Sequence, residues 1–581
     1  MVLRRSIWLW AIALALLKLW AIAHLPIRAF PATHDHLRYV IVASNLLDAS
    51  VPYGELVLAR QPGYPGFIAL SYLLGIPLRI FQEFFYLAAG GFLAAALYRW
   101  VRRPQIVLLW LVLYNFAPFS YHWNRQTLQE VLYLPLTAAI VAGLLNLLKD
   151  SDNPRRFLLD SLILGLILAL FWNTRPEGIW IVPTIALIYG ILGISAISKT
   201  RKHPKALSPS SPLPLSPSSP LPLSPSSPLP LSPSSPLPLS PSPSLRTLTY
   251  SILFTLAPIV FVTSTFAFAN YLQYGIYNTY DLKAPGLTAA YSSLRRVSPE
   301  RHRPQIAIPR ETREEIYAVS PSFERLQDSL EIESDRGWRQ VSCEMGICED
   351  YAAGVFFWAL RDAVEEEGYY QSAPETEAFY EQIALEIETA CDRDLLRCKS
   401  RNIASFVPSL SWDILQPWLQ SSLRLSYNLT TSSLPLKLDS GVEDIAFRQR
   451  YYSHITREPA DFFRRRAFPL NQLKDRLITA VSDLYRLAFP AIFGLAVLGY
   501  GLELLAFGTP RLVPLWLSGV LLFCIATRVV LVAYIDVTSW SVEGGDRYLR
   551  PVLPLLWCLM SLGVFYLSCR WKTLESSLSR R

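Results

Sequence analysis

Long apolar runs alternate with short basic segments along most of this chain. A helix of about 20 apolar residues crosses about 30 Å of hydrocarbon. The pattern predicts about ten transmembrane helices, at 6–24, 81–100, 105–122, 128–148, 157–173, 178–197, 248–270, 485–507, 511–534 and 551–569. The first run has a basic start and is too long for a signal peptide, so we predict an uncleaved membrane helix.

A shorter apolar stretch at 62–78 decides the topology. It is interrupted by prolines, and it either spans the membrane or lies in the outer interface. Because only the interfacial placement leaves every basic loop on the cytoplasmic side, we prefer it. Both termini are then cytoplasmic. The residues expected outside are 25–80, 123–127, 174–177, 271–484 and 535–550.

Two segments depart from the membrane pattern. Residues 207–244 repeat "LSPSSPLP", a composition that cannot form a core and predicts disorder. Residues 271–484 contain helical patterns with acidic faces, which predict a mainly helical external domain. The expected organisation is a catalytic membrane module at 1–200, a disordered cytoplasmic linker at 201–246, a transmembrane helix at 247–270, the external domain at 271–484, and C-terminal membrane helices with a cytoplasmic tail at 485–581.

The cysteines divide between the two environments. Four of the seven lie in the predicted external domain: Cys343, Cys348, Cys391 and Cys398. An even number outside the cell predicts two disulfides, between close neighbours or cross-paired. A zinc site is the alternative, but the spacings are loose and no histidine is near. Cys524, Cys558 and Cys569 lie in or beside membrane helices and are expected to be unpaired.

Composition agrees with an all-α polytopic membrane protein. Of 581 residues, 51% are hydrophobic and 17% are charged, whereas soluble chains carry about 25% charged residues. The net charge of +8 is modest. No basic stripe with interleaved aromatics and no zinc-finger spacing indicates a nucleic-acid partner.

Ionisable residues near the apolar runs gather on the predicted outer side. They are Lys18, Asp35, Arg60, Arg125, Glu130, Arg175, Glu177, Arg528, Asp546 and Arg547. Such residues are costly in hydrocarbon, so they predict a polar cavity that opens outward. Each has a simpler alternative: Lys18 snorkels to the headgroups, Arg125 and Arg175 anchor the interface, and Glu130 pairs with an arginine to hold helices together.

The segment "FPATHDHLRYV" at 30–40 places Asp35 at the start of a predicted helix. Its apolar stripe is Leu37, Val40, Ile41, Leu46 and Leu47, which predicts a helix lying along the membrane interface. A carboxylate at this position can act in a site. It can also merely cap the helix by accepting backbone hydrogen bonds.

The order of these parts resembles the GT-C superfamily of integral-membrane glycosyltransferases, close to the protein O-mannosyltransferase and aminoarabinose transferase type. The likeness covers 1–200 and 485–570, and leaves 271–484 unmatched. The matching motifs are "HDHLRYVIVASNLL" with Asp35, "RQPGYPGFIAL" with Arg60, "NRQTLQEVLYLPL" with Glu130, "TRPEGIWIVP" with Arg175 and Glu177, and "GGDRYLRPVLPLL" with Arg547 and Tyr548.

The resemblance implies a sugar carried on polyprenyl phosphate as donor, and transfer at the external face of a bacterial inner membrane. Asp35 would be the base in an inverting reaction. Arg60, Arg528 and Arg547 would bind the donor phosphate, with Arg175 behind them. Glu130, Glu177 and Tyr548 would support these groups. The acceptor, whether glycan, lipid or protein, is not indicated.

The chain departs from the family at two places. Many relatives carry a second acidic residue directly after the loop aspartate, whereas here His34 and His36 flank Asp35. These three are the candidate ligands for a divalent metal, and no other cofactor is expected. The relatives' Lys-Pro-Pro-Leu is Arg60-Gln61-Pro62-Gly63 here. A transporter or lipid flippase is the alternative function, but it predicts internal repeats and charges spread through the bilayer, and neither is found.

Overall fold

The structure is a computed structural model that describes residues 2–25, 27, 34–48, 50–202, 243–299, 303, 305–331, 337–400, 412–431, 452–458, 468–505, 512–539 and 548–578. Within these residues the fold is helical, without a β-strand. The N-terminal helices are α1 (Val2–Ile22), α2 (His34–Asn45), α3 (Gly63–Leu73), α4 (Leu78–Val101), α5 (Pro104–Asn115), α6 (Pro118–Trp123), α7 (Glu130–Lys149), α8 (Pro154–Trp172) and α9 (Val182–Lys202).

The described part of the second half of the chain is also helical. Its helices are α10 (Leu245–Tyr274), α11 (Pro285–Arg296), α12 (Arg310–Tyr317), α13 (Pro321–Glu324), α14 (Gln327–Glu331), α15 (Trp338–Glu344), α16 (Ala353–Glu366), α17 (Ala373–Asp392), α18 (Trp412–Thr431), α19 (Pro469–Leu505), α20 (Leu512–Thr538) and α21 (Leu553–Leu578). The predicted Pro/Ser repeat at 207–244 falls outside the described residues.

Seven helical segments among the described residues are long and apolar enough to cross a membrane, so the chain is a polytopic membrane protein. They are Leu78–Val101, Glu130–Lys149, Pro176–Ser198, Leu245–Tyr274, Pro469–Leu505, Leu515–Thr538 and Arg550–Trp571. The predicted count of about ten is not confirmed, because the runs at 6–24, 105–122 and 157–173 fall on helices outside this set.

The reasons differ among the three. Helix α5 has 12 residues, about 18 Å at 1.5 Å per residue, and Pro118 begins a new helix soon after it ends. Helix α8 carries Arg155, Arg156 and Asp160 in its first two turns. The described apolar part of α1, Trp8–Ile22, is short. The proline-broken stretch at 62–78 forms the 11-residue α3, which is also too short to span.

Small residues allow the membrane helices to pack closely. Gly499 of α19 faces Gly563 of α21, and a Cβ added at Gly499 would lie 2.0 Å from the carbonyl oxygen of Gly563. Gly165 of α8 similarly meets the backbone of α10 at Phe254 and Thr255. These backbone approaches explain why the two helix pairs form extended contacts.

A second hydrophobic core lies outside the membrane bundle. Its buried residues come from 276–396, which we call the second-core region, together with Val57 and Leu58 of the first loop. Disulfides join Cys343 to Cys348 and Cys391 to Cys398, which confirms the pairing of close neighbours. Among the described residues, Cys524, Cys558 and Cys569 take part in no disulfide, as expected.

The stretch after residue 400 packs differently. In α18, Leu425 and Leu429 join the core of the membrane helices, as do Tyr452 and Ile455. The predicted domain 271–484 therefore contains residues of two hydrophobic cores. Its boundaries, and the side of the membrane on which it lies, stay predictions.

Lys18 does not snorkel to the membrane surface. Its side chain is fully buried, and Nζ lies 2.8 Å from Oε1 of Glu83. The ring centre of Tyr86 is 3.9 Å from Nζ, and the amide of Asn124 donates to the other oxygen of Glu83 at 2.8 Å. This pair joins α1 to α4 within the bundle.

Substitution of Glu83 tests this ion pair. Glu83→Gln keeps an acceptor for Asn124 but leaves Lys18 without a counter-charge, so we expect a loss of roughly 3–5 kcal/mol in stability. Lys18→Met combined with Glu83→Gln should recover most of it. Melting temperatures of the purified proteins in detergent measure both effects, and a single variant as stable as the unsubstituted protein would contradict the pairing.

Candidate active site at one end of the membrane bundle

Arg175 lies where α8 has ended and a 3-10 turn, Pro176–Ile181, begins. Its Nε and Nη2 donate to the two carboxylate oxygens of Glu177, each at 2.9 Å. Its Nη1 donates to Oε1 of Glu130, the first residue of α7, at 3.0 Å. The guanidinium is buried and its charge is matched by two carboxylates. The arrangement joins the start of α7 to the turn that leads into α9.

Arg528 is in a different situation. It is fully buried in α20, and its Nε donates to the backbone oxygen of Tyr548 at 3.0 Å. The rings of Tyr133 and Trp180 lie 5.9 and 5.6 Å from its Cζ. Neither Nη1 nor Nη2 has a hydrogen-bond partner in the described part of the chain. Buried polar groups are nearly always paired, so these two atoms require an explanation.

Aromatic side chains bring the two arginines together. Cζ of Arg175 lies 5.7 Å from the ring of Tyr133 and 4.9 Å from that of Tyr548. Arg528 contacts Tyr133 as well, and Tyr133 accepts a hydrogen bond from Trp180 Nε1 at 3.0 Å. Because Glu130 and Glu177 pair with Arg175, the positive charge that this cluster offers to an anion is that of Arg528.

The loop that carries Arg60 packs closely against the segment just before Arg175. The backbone N–H of Gly63 donates to the backbone oxygen of Asn173 at 2.7 Å, two residues before Arg175. A Cβ added at Gly63 would lie 2.6 Å from that oxygen, so only glycine permits this approach. Cζ of Arg60 lies 4.2 Å from the ring of Trp358 and 5.5 Å from that of Tyr39 in α2.

The second-core region reaches the helix that carries Asp35. Arg38 of α2 is buried, with Nη2 3.5 Å from Glu55 and 3.8 Å from Asp362. Its Cζ lies 5.2 Å from the ring of Trp358. The sequence contains no sign of this contact, because the residues that meet are about 300 positions apart.

Two further contacts fix the second-core region on the first loop. Arg361 is fully buried and pairs with Glu55 at 2.9 Å and with Asp281 at 2.6 Å. Burial and the charge of Glu55 raise the pKa of Asp362 to about 6. Burial also raises the pKa of Tyr280, and the charges of Arg60 and Arg361 oppose this shift while those of Glu177 and Asp281 add to it.

The predicted site residues have the following places. Those that the structure brings to this end of the bundle are Arg60, Glu130, Arg175, Glu177, Arg528 and Tyr548. The side chains of His34, Asp35 and His36 lie outside the described residues, as does Arg547. Asp35 is the second residue of α2, so the predicted helix does begin there.

The buried face of α2 differs from the predicted stripe. Tyr39, Val40, Val42 and Ala43 are buried, whereas Leu46 lies beyond the helix and is exposed. The helix packs against α3 on one side and meets the second-core region on another, so burial extends past a single stripe.

Among the described residues, no group of three or more histidine, cysteine or acidic side chains could hold a metal ion. An open cavity of about 610 Å³ lies between the second-core region, α18 and the end of α20, with Arg303, Arg424 and Asp536 in its wall. None of the predicted site residues lines this cavity.

Comparison with known proteins does not identify a family for this chain. No family model and no curated protein matches the chain. Among solved structures, the chain is similar to the crystal structure of ArnT from Cupriavidus metallidurans bound to undecaprenyl phosphate, with 12% identity and a TM-score of 0.31 over 97% of this chain and 77% of that one. A TM-score this low does not establish that the two folds are the same. The function proposed for this chain therefore rests on its side-chain contacts.

The two buried arginines should respond oppositely to substitution. Arg175→Met leaves the buried Glu130 and the partly exposed Glu177 without a counter-charge, and we expect a loss of roughly 3–5 kcal/mol. Arg528→Met removes a buried charge that has no carboxylate within ion-pair distance among the described residues, so stability should stay equal or rise. Melting temperatures in detergent measure both, and equal losses would show that the arginines are equivalent.

The pH dependence of stability tests the environment of Asp362. Its pKa of about 6 is above the ~3.9 of an unfolded chain. Protonation of Asp362 therefore stabilises the fold below pH about 4, and this contribution is lost as the pH rises through about 6. The melting temperature of the unsubstituted protein should fall over this range relative to Asp362→Asn, which keeps an acceptor for Trp338. Parallel curves would contradict the raised pKa.

Proposed function

We propose that this protein is a membrane glycosyltransferase that moves a sugar from a polyprenyl-phosphate donor to an acceptor hydroxyl. The observation that carries the proposal is Arg528, a buried guanidinium with both Nη atoms unpartnered. A phosphate oxygen is the natural partner of such a group, because charge-assisted pairs between guanidinium and phosphate are strong and bidentate.

The depth of Arg528 favours a phosphate that is attached to a lipid. Arg528 lies ten residues before the end of α20 at Thr538, about 15 Å along the helix. An isolated soluble anion would have to leave water to reach this depth. A polyprenyl phosphate brings an apolar chain that stays in the bilayer, while its phosphate meets the arginine. Solvent does not reach the Nη atoms in this conformation, so the donor must displace neighbouring side chains.

The proposed roles of Arg528 and Arg175 follow from their contacts. Arg528 stabilises the charge that develops on the leaving phosphate, with Arg60 and Arg547 as further phosphate ligands. Arg175 is a positioning residue, since Glu130 and Glu177 already neutralise it. The hydrogen bonds from Arg175 to these two carboxylates hold its guanidinium against the rings of Tyr133 and Tyr548, the two residues that Arg528 also contacts.

Asp35 is the proposed base. It lies in the first turn of α2, and Arg38, one turn later, is held by Glu55 and Asp362. The carboxylate takes the proton of the acceptor hydroxyl while that oxygen bonds to the anomeric carbon. The bond from this carbon to the phosphate oxygen breaks, and polyprenyl phosphate leaves. One displacement inverts the anomeric configuration. We place the reaction on the external face of a bacterial inner membrane.

Asp35→Asn separates catalysis from helix capping. Asparagine caps about as well as aspartate, but it cannot accept the proton, so transfer should fall by about 10²–10⁴. The assay follows labelled sugar from polyprenyl-phosphate donors into product, using membranes that contain equal amounts of each variant. Near-normal transfer by Asp35→Asn would make Asp35 a cap and direct the search to Glu130.

Arg528→Gln supplies the second arm of the same assay. Transfer should fall because the leaving phosphate loses its partner. Arg99→Gln is the matched control: Arg99 is paired with Asp150 at 2.7 Å and has no proposed role in the reaction. Movement of the lipid donor across the membrane without any glycoside product would favour a flippase instead.

A further inference from the structure

Gln61 is buried, but its side-chain amide does not contribute a hydrogen bond to the described part of the fold. Its side chain is 2% exposed, and neither Nε2 nor Oε1 has a hydrogen-bond partner in the described part of the chain. A primary amide offers two donors and one acceptor. Leaving all of them unpaired in a protein interior is costly, and natural structures do so rarely.

Gln82 is a second buried glutamine that pairs one end of its amide, whereas its Oε1 has no hydrogen-bond partner in the described part of the chain. It is 1% exposed, and its Nε2 donates to the backbone oxygen of Gln126 at 2.9 Å. The two glutamines have equal size and nearly equal burial. Gln61 therefore differs in its partners, and burial alone does not explain it.

The chain on either side of Gln61 touches both parts of the proposed site. Arg60, immediately before it, contacts Tyr39 of the helix that carries Asp35. Gly63, two residues after it, is hydrogen-bonded to Asn173 beside Arg175. Gln61 is thus held between the helix of the proposed base and the aromatic cluster at which Arg175 and Arg528 both contact Tyr133. In the donor, the sugar occupies the position between the attacking oxygen and the phosphate.

We propose that the Gln61 amide binds hydroxyl groups of the donor sugar and so helps to select it; this inference rests on the proposed function. The amide presents a donor and an acceptor in one plane, which matches two adjacent hydroxyls of a sugar ring. Pro62 follows directly and restricts the backbone of the loop. A site built to hydrogen-bond a hydroxyl discriminates strongly against sugars that lack it, since its polar groups are then left unpaired.

Gln61→Leu tests the proposal, because leucine fills a similar volume without an amide. We measure melting temperature with undecaprenyl phosphate alone, and with undecaprenyl phosphate carrying mannose, glucose or galactose. In the unsubstituted protein at least one sugar should add to the shift that the bare lipid produces. In Gln61→Leu the shift by the bare lipid should remain and the added shift should be lost.

The apo melting temperature gives a second readout. Gln61→Leu should melt at the same or a higher temperature than the unsubstituted protein, since no hydrogen bond is lost. Gln82→Leu, the matched control, should melt lower and keep the added shift. Gln61→Glu keeps the shape and an acceptor but loses both donors, so it covers the case in which the leucine variant fails to fold; it too should lose the added shift.

The outcomes separate the two proposals. A bare lipid that shifts no melting temperature overturns the proposed function itself. A bare lipid that shifts the melting temperature, with no added effect of any sugar, overturns the role of Gln61 alone. An added shift that survives in Gln61→Leu or Gln61→Glu overturns that role as well.

Discussion

Ionised groups inside an apolar bundle require a counter-charge, and the Arg175 cluster is where this requirement organises the structure. Arg175 bonds Glu130 at the start of α7 and Glu177 in the turn before α9. Its guanidinium also contacts the rings of Tyr133 and Tyr548. These residues come from separate segments of the chain, so one buried cation sets the relative positions of their helix ends. The surroundings of Arg528 are built from the same aromatic residues.

A second buried cation fixes the second-core region in the same way. Arg361 pairs with Glu55 of the first loop and with Asp281 at the start of that region. The loop between these contacts and the membrane carries Arg60 and Gln61. The contacts of this region with the first loop therefore help to position one wall of the proposed site and the helix that begins near Asp35.

Three other cations among the described residues of the bundle are each paired with a carboxylate. Lys18 meets Glu83, Arg99 meets Asp150, and Arg570 meets Glu503 at 2.8 Å. Each of these pairs joins two helices and needs no ligand to explain it. Arg528 departs from this pattern, since its contacts are a backbone oxygen and aromatic rings. The contrast between satisfied and unsatisfied charges is what separates a structural role from a proposed binding role here.

The sequence by itself determined the class of fold, because hydropathy is a local property that accumulates over about 20 residues. It also indicated the disulfides, whose partners lie five and seven positions apart, and the group of polar residues that includes Arg60, Arg175 and Arg528. The tertiary structure alone decided which of these charges is neutralised. That outcome depends on the rotation of each helix and on the docking of α16 against the first loop. Such long-range geometry leaves no periodic trace, so neither the pairing of Arg175 nor the isolation of Gln61 could be found from the residues in order.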